Sequence, residues 1–388
     1  MGTSSLSLPR ADGSLTRYEP TGEFIEPPED GRPFKSRVVY VATHVVADPL
    51  RVSGSSSSSP VDWDATLAYR SYLWSMGFGV AEAMDTAQRS MGLTWEAARD
   101  LIGRSLAAAP DRTGAITCGA GTDHLDPADA TLDDVVGAYE EQCGFVESAG
   151  GRVVLMASRA LARSARGPDD YLTVYDKVLS QLTRPVTLHW LGEPFDPELA
   201  GYWGSRELGP ATETFVSLIE AHAQRIEGVK VSLLDKDLEV GLRERLPEGV
   251  RVYTGDDFNY VELIRGDGHH HSHALLGILD AIAPVAAIAL RALDEDDGDG
   301  FERKLAPTIP LARHVFSSPT RFYKTGLVFL AYLNGHQTHF KMLGGLESAR
   351  SIVHLAETFV LADTAGLFRD PERACMRMRA ILATAGVA

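Results

Sequence analysis

The sequence predicts an α/β fold, a (β/α)8 TIM barrel followed by a C-terminal helical segment, on three observations. Short β-branched runs alternate with longer amphipathic segments eight times between residues 37 and 293. No Gly-x-Gly-x-x-Gly turn and no Gly-Lys-Ser/Thr phosphate loop follows the first run, which removes the commonest reason to expect an open doubly wound sheet, the structural rival. The alternation then stops at an acidic, glycine-containing linker, Asp294 to Gly300.

Residues 1–36 are rich in Gly, Pro, Ser and charge and read as a flexible N-terminal extension. Arg37 to Thr43 is the first expected strand. A loop carrying Ser55 to Ser59 leads from it to a helix over Trp63 to Met76. Val80 to Met84 is a second strand, and Thr94 with Glu96 marks the entry of the next helix. Gly114 to Cys118, Arg152 to Met156, Pro185 to Trp190 and Gly228 to Leu233 are the third to sixth strands, with the helix Leu132 to Ser148 behind the third. Val250 to Thr254 and Ala274 to Asp280 complete the barrel over residues 37–293. In residues 294–388, Phe301 to Lys304, Pro319 to Asn334, Glu347 to Ala362 and Pro371 to Ala385 carry helical apolar spacing, as expected of a cap or an oligomerisation segment.

The chain has 388 residues and a net charge of -16, with no clustered Lys and Arg to meet a phosphate backbone or an anionic membrane. No nucleic-acid or membrane partner is expected. Leu275 to Leu290, the most apolar stretch, is too short to span a bilayer and contains Asp280 and Pro284. The beginning of the chain lacks a basic segment followed by an apolar one, and Cys118, Cys143 and Cys375 have no disulfide or metal spacing. A cytoplasmic protein with reduced thiols is expected.

A barrel of this kind carries its chemistry at the C-terminal ends of its strands. Lys230 stands there between Val229 and Val231 on the sixth strand. If it points inward, desolvation lowers its pKa and frees the amine to attack a carbonyl; if outward, its ammonium snorkels to water. In Tyr253-Thr-Gly-Asp-Asp257 one acid caps the next helix and the other is left to face the cavity. His269-His270-His271 and His273 are read as a surface turn entering the eighth strand and not as a metal site, because consecutive side chains on an extended chain point in opposite directions. His44, Asp85, Thr86, Arg159 and His189 are the remaining strand-end polar groups.

Gly228-Val-Lys230, Asp237-Leu-Glu239 and Thr254-Gly-Asp-Asp257 resemble, in order and spacing, a segment of the dihydrodipicolinate synthase and N-acetylneuraminate lyase superfamily, within it an uncharacterised branch of unknown function. Val61-Asp-Trp-Asp64, Leu93-Thr-Trp-Glu96 and Ala283-Pro284 are similar to other parts of that pattern. The resemblance implies a class I aldolase or hydro-lyase, forming an imine at Lys230 without a cofactor, and a homo-oligomer, dimer or tetramer. Asp257 matches an acid that holds sugar hydroxyls in some members. Two departures stand out. Met84-Asp-Thr-Ala-Gln88 replaces the superfamily's carboxylate-binding Gly-Thr-Thr-Gly-Glu loop, and Asp85 there repels a carboxylate. Ala157-Ser-Arg-Ala160 stands where the family has its proton-relaying tyrosine. Arg159 is then the candidate anchor, His189 or His44 the candidate relay, and pyruvate is not the expected substrate.

The expected function is therefore a Schiff-base-forming lyase acting on a small ketone-bearing, polyhydroxylated or acidic substrate. Lys230, His189 and His44 are its candidate catalytic residues, and Asp85, Thr86, Arg159, Asp256 and Asp257 its candidate substrate-binding residues, with no metal. Two alternatives keep the same barrel: a metal-dependent sugar isomerase or hydrolase using Asp256, Asp257 or the histidines, and a non-catalytic ligand-binding protein.

Overall fold

The computed structural model describes residues 5–51, 60–111 and 114–387; the expected loop Ser55 to Ser59 lies outside them. The N-terminal segment is not the flexible arm that its composition suggests. Its strands β1 (Leu6–Pro9) and β2 (Leu15–Tyr18) form an antiparallel hairpin. Leu6 and Leu8 are buried, and Asp363 accepts hydrogen bonds from the Tyr18 hydroxyl and the Thr21 and Gly22 amides. Alternating apolar side chains and one buried carboxylate tether a stretch that is polar on average.

Eight parallel strands close into a barrel: β3 (Val39–Ala42), β4 (Gly79–Glu82), β5 (Ile116–Ala120), β6 (Val153–Leu155), β7 (Val186–Leu191), β8 (Ile226–Ser232), β9 (Arg251–Thr254) and β10 (His273–Leu276). Neighbours pair in chain order, and β10 returns to β3. All eight expected strands are present, alternating along the chain with helices in the (β/α)8 pattern. The eighth ends at Leu276, short of the expected Asp280, which lies in the first turn of the helix Leu279–Asp294. Tyr40, Ala42, Ala81, Met84, Val154, Met156, Tyr253 and Leu275 form one buried cluster of the barrel strands and their ends. The two-residue spacing of Tyr40 with Ala42 and of Val154 with Met156 is the pleat period, so Val39 and Val41 take the opposite face.

Helix starts follow local chemistry. Thr94 accepts from the Ala97 amide to open Trp95–Ala108, and Thr131 with Asp134 forms a capping box ahead of Leu132–Ser148. Among the described residues no helix is long and apolar enough to cross a membrane, and the three cysteines are free and buried.

Contacts group the chain into two compact units. One comprises Arg37–Thr43 and Phe78–Gly277 and holds the whole barrel sheet; the other comprises the described parts of Met1–Ser36, His44–Gly77 and Ile278–Ala388. This grouping differs from a boundary after residue 293. The helix Leu279–Asp294 groups with the N-terminal segment, and Asp294 accepts from the Lys35 and Ser36 amides.

Candidate active site

Lys230 lies on β8 in register with His189 on β7 and Tyr253 on β9. Tyr253 belongs to the buried barrel cluster, and in-register side chains of a parallel sheet share a face, so Lys230 points into the barrel. It is 7% exposed. Burial pushes its pKa down from the ordinary amine value, and the Asp85 and Asp257 carboxylates pull the other way without cancelling the effect. The outward, snorkelling orientation is thereby removed.

Room for this side chain comes from Gly255. A Cβ at that position would stand 2.8 Å from Lys230 Cε and 2.1 Å from Ser232 Oγ. The glycine of the Thr-Gly-Asp-Asp turn is therefore a steric requirement of the lysine. The two acids after it divide their work. Asp256 accepts from the Phe258 and Asn259 amides and from the Asn259 side chain, at 2.8–3.0 Å, so it is a turn residue and not the substrate ligand expected of it. Asp257 is buried and acts on Lys230.

His189 is buried, and its Nε2 lies 3.1 Å from Ser232 Oγ while Nδ1 has no partner. Burial first and Lys230 second drive its pKa well below the ordinary value, so the ring is neutral at pH 7. A neutral imidazole with an unused nitrogen can take a proton.

The segment after β4 carries backbone strain. Ala83, Gln88 and Ser90 all have φ between 54° and 64°, a region that non-glycine residues rarely occupy and that concentrates at functional sites. The segment folds back through Arg89. Its guanidinium donates to Asp123, to Gln142 Oε1 and to the carbonyls of Ala83 and Gly119. Burial pushes the Asp123 pKa up, but its bonds to Arg89 outweigh that and hold it below the usual carboxylate value. Asp85, Arg89, Thr122, Asp123, Arg159 and Asp196 are among the residues lining a cavity of about 220 Å³. Lys230 does not line it; Asp85 connects the two, as a wall of the cavity and a carboxylate acting on the lysine.

The other expected site residues separate. Thr86 is buried in the short helix Asp85–Ala87. Arg159 reaches the cavity, but its Nε is 2.6 Å from Asp196 Oδ2, so it is not an uncommitted carboxylate anchor. His44 belongs to the other unit, where Nδ1 is 2.7 Å from Asp280 Oδ2. The histidine run precedes the N-terminal end of β10, with His269 and His270 exposed and His273 Nδ1 accepting from the Val38 amide at 3.0 Å. No group of three or more His, Cys, Asp or Glu suited to a metal occurs among the described residues.

Several functional-looking groups escape sequence reading. Arg89 and Asp123 are 34 residues apart and carry no motif. Glu239 enters only through the family pattern, yet it is almost wholly buried, accepts from Ser272 Oγ at 2.7 Å and Thr254 Oγ1 at 3.0 Å, and is pushed by burial up to about 8. Asp280 did leave a trace, as a lone charge in the chain's most apolar stretch.

A closed parallel barrel with a buried, inward-facing lysine on its sixth strand defines the class: a (β/α)8-barrel protein with an amine two residues before the C-terminal end of that strand. The chain belongs to the family described as "Protein of unknown function (DUF993)", whose model matches residues 6–387. No curated protein matches it. Several solved structures share its fold. A monomeric dihydrodipicolinate synthase variant superposes with a TM-score of 0.65 at 13% identity, covering 88% of this chain and 99% of its own. The chloride-inhibited dihydrodipicolinate synthase from Acinetobacter baumannii, complexed with pyruvate, gives 0.62 at 15%, covering 86% and 100%. A putative dihydrodipicolinate synthase family protein from Coccidioides immitis gives 0.62 at 15%, covering 88% and 99%. At this identity the likeness is one of fold.

Proposed function

We propose that the protein is a Schiff-base-forming lyase, an aldolase or hydro-lyase, acting on a small polyhydroxylated ketone. The observation that carries this reading is Lys230: an inward-facing amine with a depressed pKa, given room by Gly255, with Asp85 and Asp257 acting on it. Its Nζ adds to the ketone carbon, the carbonyl oxygen gains two protons and leaves as water, and an iminium remains. That cation accepts the electron pair of the bond broken next to it. In an aldol cleavage a base removes the hydroxyl proton; in a dehydration a base removes the α-proton and the β-hydroxyl leaves. His189, neutral and with Nδ1 unpartnered, is the proton acceptor in this scheme. Protonation of the enamine and hydrolysis of the imine return the free lysine.

Asp85 and Asp257 accept hydrogen bonds from substrate hydroxyls and repel a carboxylate, which favours a sugar-like ketone over pyruvate. Borohydride reduction in the presence of dihydroxyacetone, 2-keto sugars or pyruvate, followed by peptide mass analysis, tests the scheme. An adduct at Lys230 with the hydroxylated ketones is expected, its yield persisting well below the pH at which an ordinary amine loses its proton. Absence of any Lys230 adduct, with turnover intact in Lys230→Ala, would sink the proposal.

A further inference from the structure

A larger cavity, of about 590 Å³, lies within the other unit and is lined by Tyr69, Tyr72, Asp280, Asn334, His336, Arg369 and Arg373, among others. That volume falls in the usual range for a small-molecule site. Three of its side chains form a fixed aromatic wall. The Tyr69 hydroxyl donates to the Asp280 carbonyl, and its ring lies 4.6 Å from His44 and 4.9 Å from His336. Tyr72 lies 4.6 Å from His336. His44 is itself locked by its 2.7 Å bond to Asp280, so the wall exists before any ligand arrives.

Two guanidiniums, Arg369 and Arg373, and two carboxylates, Asp280 and Asp370, line this cavity, with Asp280 engaged by His44. Burial, then His44, Arg369 and Arg377, depress His336 to about 4, which leaves its ring neutral and Arg369 and Arg373 as the lining cations. Arg373 packs on Gly335, where a Cβ would come within 2.6 Å of its guanidinium and where φ is +90°. Arg369 pairs with Glu26, and Arg373 with Asp370 at 3.1 Å. All four of these side chains are more than two-fifths exposed, and such ion pairs are weak enough for a ligand to displace. Asn334 also lines the cavity, and its side-chain oxygen is buried with no partner. An unpaired buried acceptor is costly, and a ligand hydroxyl or amino group would satisfy it.

We propose that this cavity binds a small ring compound bearing a carboxylate or phosphate, the ring against Tyr69, Tyr72 and His336 and the anion on Arg369 and Arg373. Planar guanidinium forks suit either oxyanion. The proposal is independent of Lys230 chemistry, since none of the lining residues belongs to the barrel unit.

Calorimetric titration of the full chain with phenyl phosphate, 4-hydroxybenzoate, phenol and inorganic phosphate tests it. One of the two ring anions is expected to bind at least about tenfold more tightly than phenol or inorganic phosphate, and which one binds identifies the oxyanion. Arg369→Ala with Arg373→Ala should weaken that ligand by roughly tenfold or more, whereas Lys230→Ala should leave it unchanged. If the double variant unfolds, Tyr72→Leu serves instead, and should remove the advantage of the ring anion over inorganic phosphate. No heat from either ring anion up to about 10 mM, equal affinity for phenol, unchanged binding in the cavity variants, or loss of binding in Lys230→Ala would each overturn the proposal.

Discussion

Lys230 and His44 are both basic side chains sealed beside carboxylates, yet the two regions hold their bases in opposite ways. His44 is locked: Nδ1 meets Asp280 at 2.7 Å, and the ring packs on Tyr69. Lys230 is balanced, because burial lowers its proton affinity while Asp85 and Asp257 raise it, and burial prevails. A direct hydrogen bond fixes orientation, whereas opposing long-range charges leave an amine whose protonation can follow its surroundings. The first arrangement suits a rigid wall for a ligand, the second a nucleophile.

The largest test of this contrast removes the balanced base. Lys230→Ala should abolish borohydride trapping and lower turnover of the hydroxylated ketone by roughly 10³-fold or more, read by steady-state kinetics. His189→Leu comes next. It should lower turnover by about 10²-fold while trapping at Lys230 persists, because adduct formation and proton transfer are separate steps. If both are lost together, His189 positions the lysine and does not relay protons.

Breaking the locked pair should act on stability and not on chemistry. Asp280→Ala leaves a second nitrogen of a buried imidazole without a partner and should cost about 2 kcal/mol in urea unfolding, with Lys230 trapping unchanged. The smallest test uses a buried acid bonded by hydroxyls, Glu239, raised by burial from 4.5 to about 8. Its folded-state pKa is above its unfolded value, so the folded chain binds the extra proton and stability falls as pH rises from about 4.5 to about 8. Glu239→Gln should flatten that slope and stabilise the protein at pH 8 by about 1–2 kcal/mol in thermal or urea unfolding. A slope unchanged by the substitution would mean that Glu239 ionises normally.

How far the sequence could be read depended on the range of the interaction. β3 and β6 lie inside their expected runs and β8 begins two residues before its own, because strand-forming side chains and the turns beside them are local signals. That one of the two acids after Gly255 turns back was also legible, since an acid two or three residues before free amides folds back onto them, but both were expected to bind substrate and only the structure shows that Asp256 is the one. The Arg159–Asp196 pair was not legible, and it turns an apparent anchor into a committed ion pair. Nor was the packing of the N-terminal hairpin, which depends on Asp363 far along the chain. Composition averages over residues, whereas burial belongs to single side chains.

By itself the sequence determined the barrel, its eight strands and the placing of a lysine on the sixth, because two-residue and helical periodicities are written in neighbouring residues. Only the tertiary structure decided that Lys230 points inward, that Gly255 makes room for it, and that His44 is bound to Asp280 in a unit with a cavity of its own. Those outcomes depend on which residues distant in the chain come within a few ångströms, and no local pattern records that.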